Sequence, residues 1–111
     1  MSISINKPFG DAGAAGNVTS PVTMLSRFHA KAAMQVVLSG SLSAGTIALQ
    51  GTLDGVNFDT ANPLATFVIG TDSSGALKFV TDKPIGGYRA VVTGLTGTGA
   101  AEVLVAVDDM S

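Results

Sequence analysis

The sequence predicts an all-β fold: an antiparallel β-sandwich of jelly-roll or Ig-like type, with about seven or eight strands and an extended amino-terminal arm. Three observations lead to this prediction. Several short runs alternate between apolar and polar side chains, which is the period of a half-buried strand. Sequences rich in Gly, Asp and Ser separate these runs at short intervals, as turns do in all-β domains. A helical period is hard to find anywhere in the chain.

The chain begins with a segment whose composition differs from the rest. Residues 1–20 are rich in Gly and Ala and carry few apolar anchors, so we interpret them as an extended arm and residues 21–111 as a single β-sandwich domain. Residues 2–5 alternate, and Ile3 and Ile5 are suited to filling pockets when such a segment adds a strand to a neighbouring subunit. The alternative is that the same residues form the first strand of their own sandwich.

Two runs in the first half of the chain have the period of strands. Residues 26–37 contain the best helical candidate, but strand, kink, strand is the better interpretation of this stretch. Residues 33–42 and 46–53 alternate clearly, and the SAG sequence between them indicates a turn. The side chains predicted to face the core are Met34, Val36, Leu38, Ile47 and Leu49.

The second half of the chain supplies further strands, which are predicted at residues 63–70, 76–80, 88–95 and 101–107. In the last of these, Val103, Val105 and Val107 share one face and Glu102 lies on the other. The GTG sequence between the last two runs indicates a hairpin turn. Arg89, in an apolar strand, is a candidate either for a salt bridge to Glu102 on a neighbouring strand or for an interface anchor.

An Asp-Gly pair at positions 54 and 55 indicates a tight turn, because Asp tolerates the left-handed conformation and Gly lacks a Cβ. Asp54, Asn57 and Asp59 carry oxygen atoms of the kind that bind calcium. Their spacing matches no calcium loop and a bidentate Glu is missing, so we interpret them as turn-forming residues. Phe58 is expected to pack under this loop.

Composition excludes several classes of function. Hydrophobic residues make up 46% of the 111 residues and charged residues 13%, with a net charge of −2 and no basic stripe, so we expect no nucleic-acid partner. The first residues lack the pattern of a secretory signal, and no apolar run is long enough to span a membrane. We therefore expect a protein that is made in a cytoplasm, has no membrane partner and self-associates through its apolar, charge-poor surface.

Catalytic and cofactor signals are also weak. The chain has no cysteine and a single histidine, His29, which excludes thiolate chemistry and multi-histidine metal sites. No Gly-x-Ser-x-Gly elbow is present, and the Gly-rich residues 94–100 are not followed by the Lys or the helix of a phosphate-binding loop. The sequence predicts a protein that is not an enzyme and holds no cofactor or metal.

Two stretches, LQGTLDGVNFDTANPLATF and PIGGYRAVVTGLTGTGAAEVLVAV, resemble a pattern found in small β-sandwich structural proteins of tailed bacteriophages. The first stands where such proteins have an Asp-Gly hairpin followed by Asn and an aromatic residue, here Phe58 where Trp is usual. The second resembles their closing strands. The matching residues are Gly51, Asp54, Gly55, Asn57, Pro84, Tyr88, Arg89, Val92 and Thr93.

This resemblance implies a non-enzymatic virion protein, with capsid decoration (cement) as the first expectation and the major capsid protein or other virion subunits as partners. The alternatives are a carbohydrate- or receptor-binding module of a tail spike or fibre, and a neck or tail accessory protein. The absence of Trp disfavours sugar binding, since such sites commonly use an exposed aromatic ring. The candidate interface residues are Ile3, Ile5, Phe9 and Arg89, and Val37, Ala65 and Val91 are predicted to point outward.

Overall fold

The computed structural model describes residues 2–29, 31–80 and 85–109, and all the regular structure in these ranges is β-strand. The strands are β1 (Ser2–Asn6), β2 (Thr23–His29), β3 (Ala32–Thr52), β4 (Ala65–Ile69), β5 (Leu77–Val80) and β6 (Ile85–Asp109). All of their pairings are antiparallel, which confirms the predicted fold class. Residues 26–37, predicted as strand, kink, strand, contain the end of β2 and the start of β3, and residue 30 between them lies outside the described residues. These ranges contain no helix of the length and apolarity needed to cross a membrane.

The two long strands β3 and β6 form the centre of the sheet. They pair along nearly their whole lengths, from Ala32 opposite Val107 to Thr52 opposite Gly87. The other edge of β6 is paired with β1 at one end and β2 at the other. The other edge of β3 is paired with β5 and β4 in the same way. The two inner positions of the sheet are therefore the continuous strands β3 and β6. Each outer position is shared by two short strands: β1 and β2 beside β6, and β4 and β5 beside β3.

The length of β6 shows that this sheet folds back on itself. A straight strand of its 25 residues would extend roughly 80 Å, but the molecule measures 41 × 27 × 22 Å. Two layers result: a β1/β5 layer, with the first part of β3 and the last part of β6, and a β2/β4 layer with the remainder of both strands. Buried side chains of the two layers join in one hydrophobic core. The molecule is a sandwich made from one bent sheet.

Glycines allow the bend. Gly40 and Gly99 lie opposite each other in the ladder and have φ angles of 76° and 130°, a region that side chains with a Cβ rarely adopt. Each lies so close to the facing backbone that a Cβ would overlap it. The register of β3 against β6 then shifts twice between Leu42 and Thr46. After the bend the inward-facing positions change from even to odd numbers in β3.

This bend corrects the predicted turns at SAG and GTG. Both sequences lie within continuous strands and bend them without ending them. The described residues thus contain six strands where about seven or eight were predicted, because β3 and β6 each contribute one segment to both layers. The core positions predicted from alternation are confirmed apart from Leu38, which is partly buried: Met34, Val36, Ile47, Leu49, Val103, Val105 and Val107 are 0–3% exposed.

The amino-terminal residues do not extend away from the domain. β1 pairs with the last residues of β6, Ala14 forms a bridge with Ala101, and the backbones of Val18 and Val92 exchange two hydrogen bonds. An arm reaching a neighbouring subunit is therefore the wrong prediction for these residues, and its alternative, a first strand in the same sandwich, is what we observe. The reason is that unbroken β6 offers a long edge whose backbone groups need partners.

Tyr88 connects the two layers through the core. Its side chain is 1% exposed, and its hydroxyl accepts a hydrogen bond of 3.0 Å from Asn6 Nδ2. The same amide group lies 3.1 Å from the hydroxyl of Thr23, so β1, β2 and β6 meet at this point. Burial raises the pKa of Tyr88, because the phenolate would lose its hydration.

Replacing this hydroxyl tests the connection. We expect Tyr88→Phe to lower the free energy of unfolding by about 1–2 kcal/mol, since the Asn6 amide would lose one of its two acceptors in a part-buried position. Above the ordinary tyrosine pKa of 10.0 the unfolded chain ionises before the folded one, so the stability of the native protein falls as pH rises. Tyr88→Phe has no phenol to ionise at this position, so its stability should lack this part of the pH dependence. Urea unfolding from pH 8 to 11 measures both effects, and parallel pH profiles for the two proteins would contradict the prediction.

Candidate interaction surfaces

The predicted interface residues lie in different parts of the sandwich. Ile5 is on the outer face of β1 and is 67% exposed. Ile3 belongs to the same strand, but the prediction for its side chain lies outside the described residues. Phe9 is partly buried and packs against the core from the segment that follows β1. Of these three, Ile5 is the residue that the structure presents to a partner.

Arg89 does not pair with Glu102, which corrects one of its two predicted roles. Its Nε donates a hydrogen bond of 2.8 Å to Gln50 Oε1, and its guanidinium lies 4.0 Å from the ring centroid of Phe58. Glu102 instead contacts Lys7 Nζ at 3.0 Å. Arg89 and Glu102 lie on the same long strand in different layers, so they cannot face each other across a hairpin. The role of Arg89 as an interface anchor stays a prediction.

The carboxylate of Asp54 builds the loop that follows β3. Its Oδ1 accepts hydrogen bonds from the backbone N–H groups of Val56 and Asn57 at 2.9 and 2.8 Å, and its Oδ2 accepts one from Asn57 Nδ2 at 2.7 Å. These donors, the backbone of Asn57 first, hold the pKa of Asp54 well below its usual range. The loop closes where Thr52 bridges Phe58, so it is wider than the tight turn predicted.

These contacts agree with the turn-forming interpretation of this loop. The carboxylate of Asp54 is already occupied by the donors of Val56 and Asn57, and the hydroxyl of Thr52 lies 3.1 Å from its Oδ1. Within residues 2–29, 31–80 and 85–109, no group of three or more His, Cys, Asp or Glu side chains is placed to hold a metal ion.

A shallow apolar groove lies on the outer face of the β1/β5 layer. Its floor is formed by Ala33 and Ala106, which lie opposite each other in the β3/β6 ladder. Ile5 forms one wall, and Leu77, which is 53% exposed, forms the opposite wall. The groove has a volume of about 200 Å³, and Leu104 and Gln35 complete its lining. We refer to these six residues as the outer groove.

Two lysines, one just after β1 and one in β5, are paired with carboxylates. On the β1 side, Lys7 Nζ lies 3.0 Å from Glu102 and 3.1 Å from Asp11. On β5, Lys78 lies opposite the buried Met34 and so faces away from the outer groove, and its Nζ lies 2.7 Å from Asp72. These partners raise the pKa of Lys7 and lower that of Asp72. The pair of Lys78 and Asp72 therefore does not border the outer groove.

A second apolar surface lies at the end of the β2/β4 layer. It consists of Val22, Met24, Leu53 and Val56, which are 40–79% exposed, and we call it the tip patch. The sulfur of Met24 packs against Gly87 and Gly55, in space that a Cβ at either position would occupy. Met24 thereby connects β2 to the loop that carries Leu53 and Val56. Four aliphatic side chains of this size on one surface are unusual unless a partner covers them.

Exposure departs from the sequence predictions at several positions. Val37 is 40% exposed, as predicted, and Val91 is half-buried. Ala65 is 8% exposed, so its predicted outward direction is wrong: as the first residue of β4 it faces the core. Leu53 continues the alternation of residues 46–53 on the side of Ile47 and Leu49, but β3 ends at Thr52 and Leu53 is 64% exposed. The sequence feature that indicates the tip patch is Val56, an apolar residue within an otherwise polar turn sequence.

Beside the tip patch lies a cleft of about 340 Å³, which we call the loop cleft. Its walls carry the polar side chains of Asn57, Asp59 and Asn62, and its floor includes Leu64 and Ile85. Phe58 follows Asn57, but its ring carries the guanidinium of Arg89 on one face. That face is not free to stack on a ligand.

The fold is shared with a solved structure from a phage genome. The crystal structure of the SPBc2 prophage-derived protein YomS resembles this chain with a TM-score of 0.66 and 10% sequence identity. The similarity covers 96% of this chain and 92% of that protein. No model of a known protein family and no curated protein matches the sequence. At this identity the comparison shows a common fold over nearly the full length of both chains.

Proposed function

We propose that this chain is a non-enzymatic structural protein of a tailed-bacteriophage particle, and that it is a capsid decoration (cement) protein bound to the assembled head. The fold shared with a prophage-derived protein supports a phage origin. The observation that supports the more specific role is the tip patch, a set of exposed apolar side chains at one end of a small sandwich. In this proposal its partner is the major capsid protein, and the protein resides in the virion.

The tip patch suits docking onto a shell by apolar contact. Burying an aliphatic side chain contributes about 1.5–3 kcal/mol, and Leu53 and Val56 are 64% and 79% exposed before any partner is bound. Because the amino-terminal residues are committed to their own sheet, attachment depends on the folded surface. A protein that binds the assembled lattice, but not its free subunits, stabilises that lattice by mass action.

The absence of catalysis is part of the same proposal. The carboxylate of Asp54 is occupied by loop donors, and Asp72 is paired with Lys78. Both carboxylates make structural contacts, and a proton transfer to either of them would break those contacts. A hydrolase activity that disappears on substitution of His29 would contradict this part of the proposal.

Binding to particles that lack the protein tests the decoration role. We expect Leu53→Ser combined with Val56→Ser to weaken binding on the order of 100-fold or more, because two apolar anchors are removed. Val18→Ser is the matched control, since Val18 is 42% exposed and lies outside the patch. Unchanged melting temperatures would show that both variants are folded. Equal binding by the double variant and the native protein would contradict the proposed docking surface.

A second candidate is a carbohydrate- or receptor-binding module, which the loop cleft favours because it combines polar side chains with an apolar floor. Asp59→Ala with Asn62→Ala would then abolish binding to host-cell glycans and leave particle binding unchanged. Electron microscopy of particles with and without the protein distinguishes head decoration from a position at the neck or tail.

A further inference from the structure

We propose that Thr52 and Asp54 are positioning residues for the tip patch. They hold the loop of residues 53–57 in one conformation before a partner binds, so that docking loses little conformational entropy. The inference rests on the proposed function, in which the tip patch contacts the shell. Neither residue belongs to the tip patch, so both act on affinity through the loop.

The hydroxyl of Thr52 joins the two ends of the loop. Thr52 is the last residue of β3 and is 5% exposed. Its Oγ1 donates a hydrogen bond of 2.6 Å to the carbonyl of Asn57 and accepts one of 3.0 Å from the N–H of Gly55. It also accepts a longer one, of 3.3 Å, from the N–H of Asp54. One buried hydroxyl therefore fixes both the first and the last residues of the loop.

The carboxylate of Asp54 fixes the backbone that carries Val56. It accepts the N–H groups of Val56 and Asn57, so the peptide groups on both sides of Val56 are bonded to one side chain. Between them, Gly55 has a φ of 82°, and the sulfur of Met24 lies in the space that a Cβ there would need. Val56 itself is 79% exposed. Its position is therefore set by backbone hydrogen bonds, since a side chain this exposed gains little from packing.

Order in this loop has a consequence for binding. Leu53 and Val56 gain hydrophobic stabilisation only when a partner covers them. A flexible loop would have to be ordered at that moment, and the entropy lost from its backbone and side chains would reduce affinity. In this protein the hydrogen bonds of Thr52 and Asp54 form when the chain folds. The cost of ordering the loop is therefore part of folding and not of docking.

Amide hydrogen exchange in the free protein tests the positioning role without a particle. We expect Asp54→Ala to speed exchange of the Val56 and Asn57 N–H groups at least about 10-fold, because their acceptor is removed. Asp72→Ala is the matched control, since Asp72 Oδ2 accepts the N–H of Val68 in the turn after β4, outside the tip patch. Exchange at Val56 should be unchanged in this control. Native rates at Val56 and Asn57 in Asp54→Ala would overturn the proposal.

Particle binding tests the consequence for docking. We expect Asp54→Ala to weaken binding about 10-fold although Leu53 and Val56 are both present, because their loop is no longer ordered. Asp54→Asn keeps an acceptor oxygen for the two N–H groups and should recover most of this loss. A direct charge contact between Asp54 and the shell would instead be lost in both variants. Asp72→Ala should bind like the native protein.

The outcomes separate this inference from the proposed function. If the native protein binds no particles, the decoration role is wrong, and amide exchange still decides whether Asp54 orders the loop. If Asp54→Ala binds like the native protein while its loop exchanges faster, the positioning role is wrong and the decoration role stands. Thr52→Val, which removes only the hydroxyl, should reproduce both effects of Asp54→Ala, and native exchange rates in this variant would exclude Thr52 from the role.

Discussion

Deleting residues 1–16 will unfold the domain. The truncation removes β1 from the edge of β6, the bridge between Ala14 and Ala101, and the Asn6 amide that binds Tyr88. It also exposes core that Ala14, itself 3% exposed, now covers. A domain of this size is stable by only about 5–15 kcal/mol in total, so the loss of a whole strand is comparable with the entire free energy of unfolding.

The truncated protein should show no cooperative thermal transition by circular dichroism and poor dispersion of its NMR spectrum. Gly16→Ala is the control in the same segment, since a Cβ there has open space and the residue does not adopt a positive φ. This variant should melt like the native protein. If the truncated chain melts cooperatively at the native temperature, the amino-terminal residues are not part of the stable sheet.

Gly99→Ala will lower the free energy of unfolding by about 2–4 kcal/mol, because the added Cβ would overlap the carbonyl of Ser39 while the backbone remains at a φ of 130°. The facing residue, Gly40, also packs tightly against the backbone opposite it, so the two strands cannot separate there without opening the bend. The two layers of the sandwich depend on this bend, so its disruption affects the whole core.

The matched control is Gly94→Ala. Gly94 also has a positive φ, 66°, but nothing lies within 4 Å of a Cβ placed there. We expect a loss of about 1 kcal/mol from backbone strain alone. Urea unfolding of the two variants and the native protein gives the comparison. Equal losses at Gly94 and Gly99 would show that close packing at the bend contributes nothing.

The candidate surfaces were only partly predictable. Ile5 was identified from alternation in residues 2–5, and its exposure follows from the same period, which places Asn6 on the inner side against Tyr88. Leu77, its counterpart across the outer groove, carries no local signal. Its position depends on β5 pairing with the start of β3, far away in the chain. The tip patch was missed because Leu53 continues an alternating pattern past the residue at which β3 ends.

The sequence by itself determined the β class, the inward positions such as Met34 and Val103, and the low charge of the surface. These properties follow from the two-residue period and from composition, which are local. Tertiary structure alone decided whether the glycines at 40 and 99 end strands or bend them. Glycine permits both conformations, and pairing between β3 and β6 selects the bend because it keeps both backbones hydrogen-bonded. Because β6 is unbroken, the backbone groups along its second edge also need hydrogen-bond partners. Amino-terminal residues, including β1, supply them.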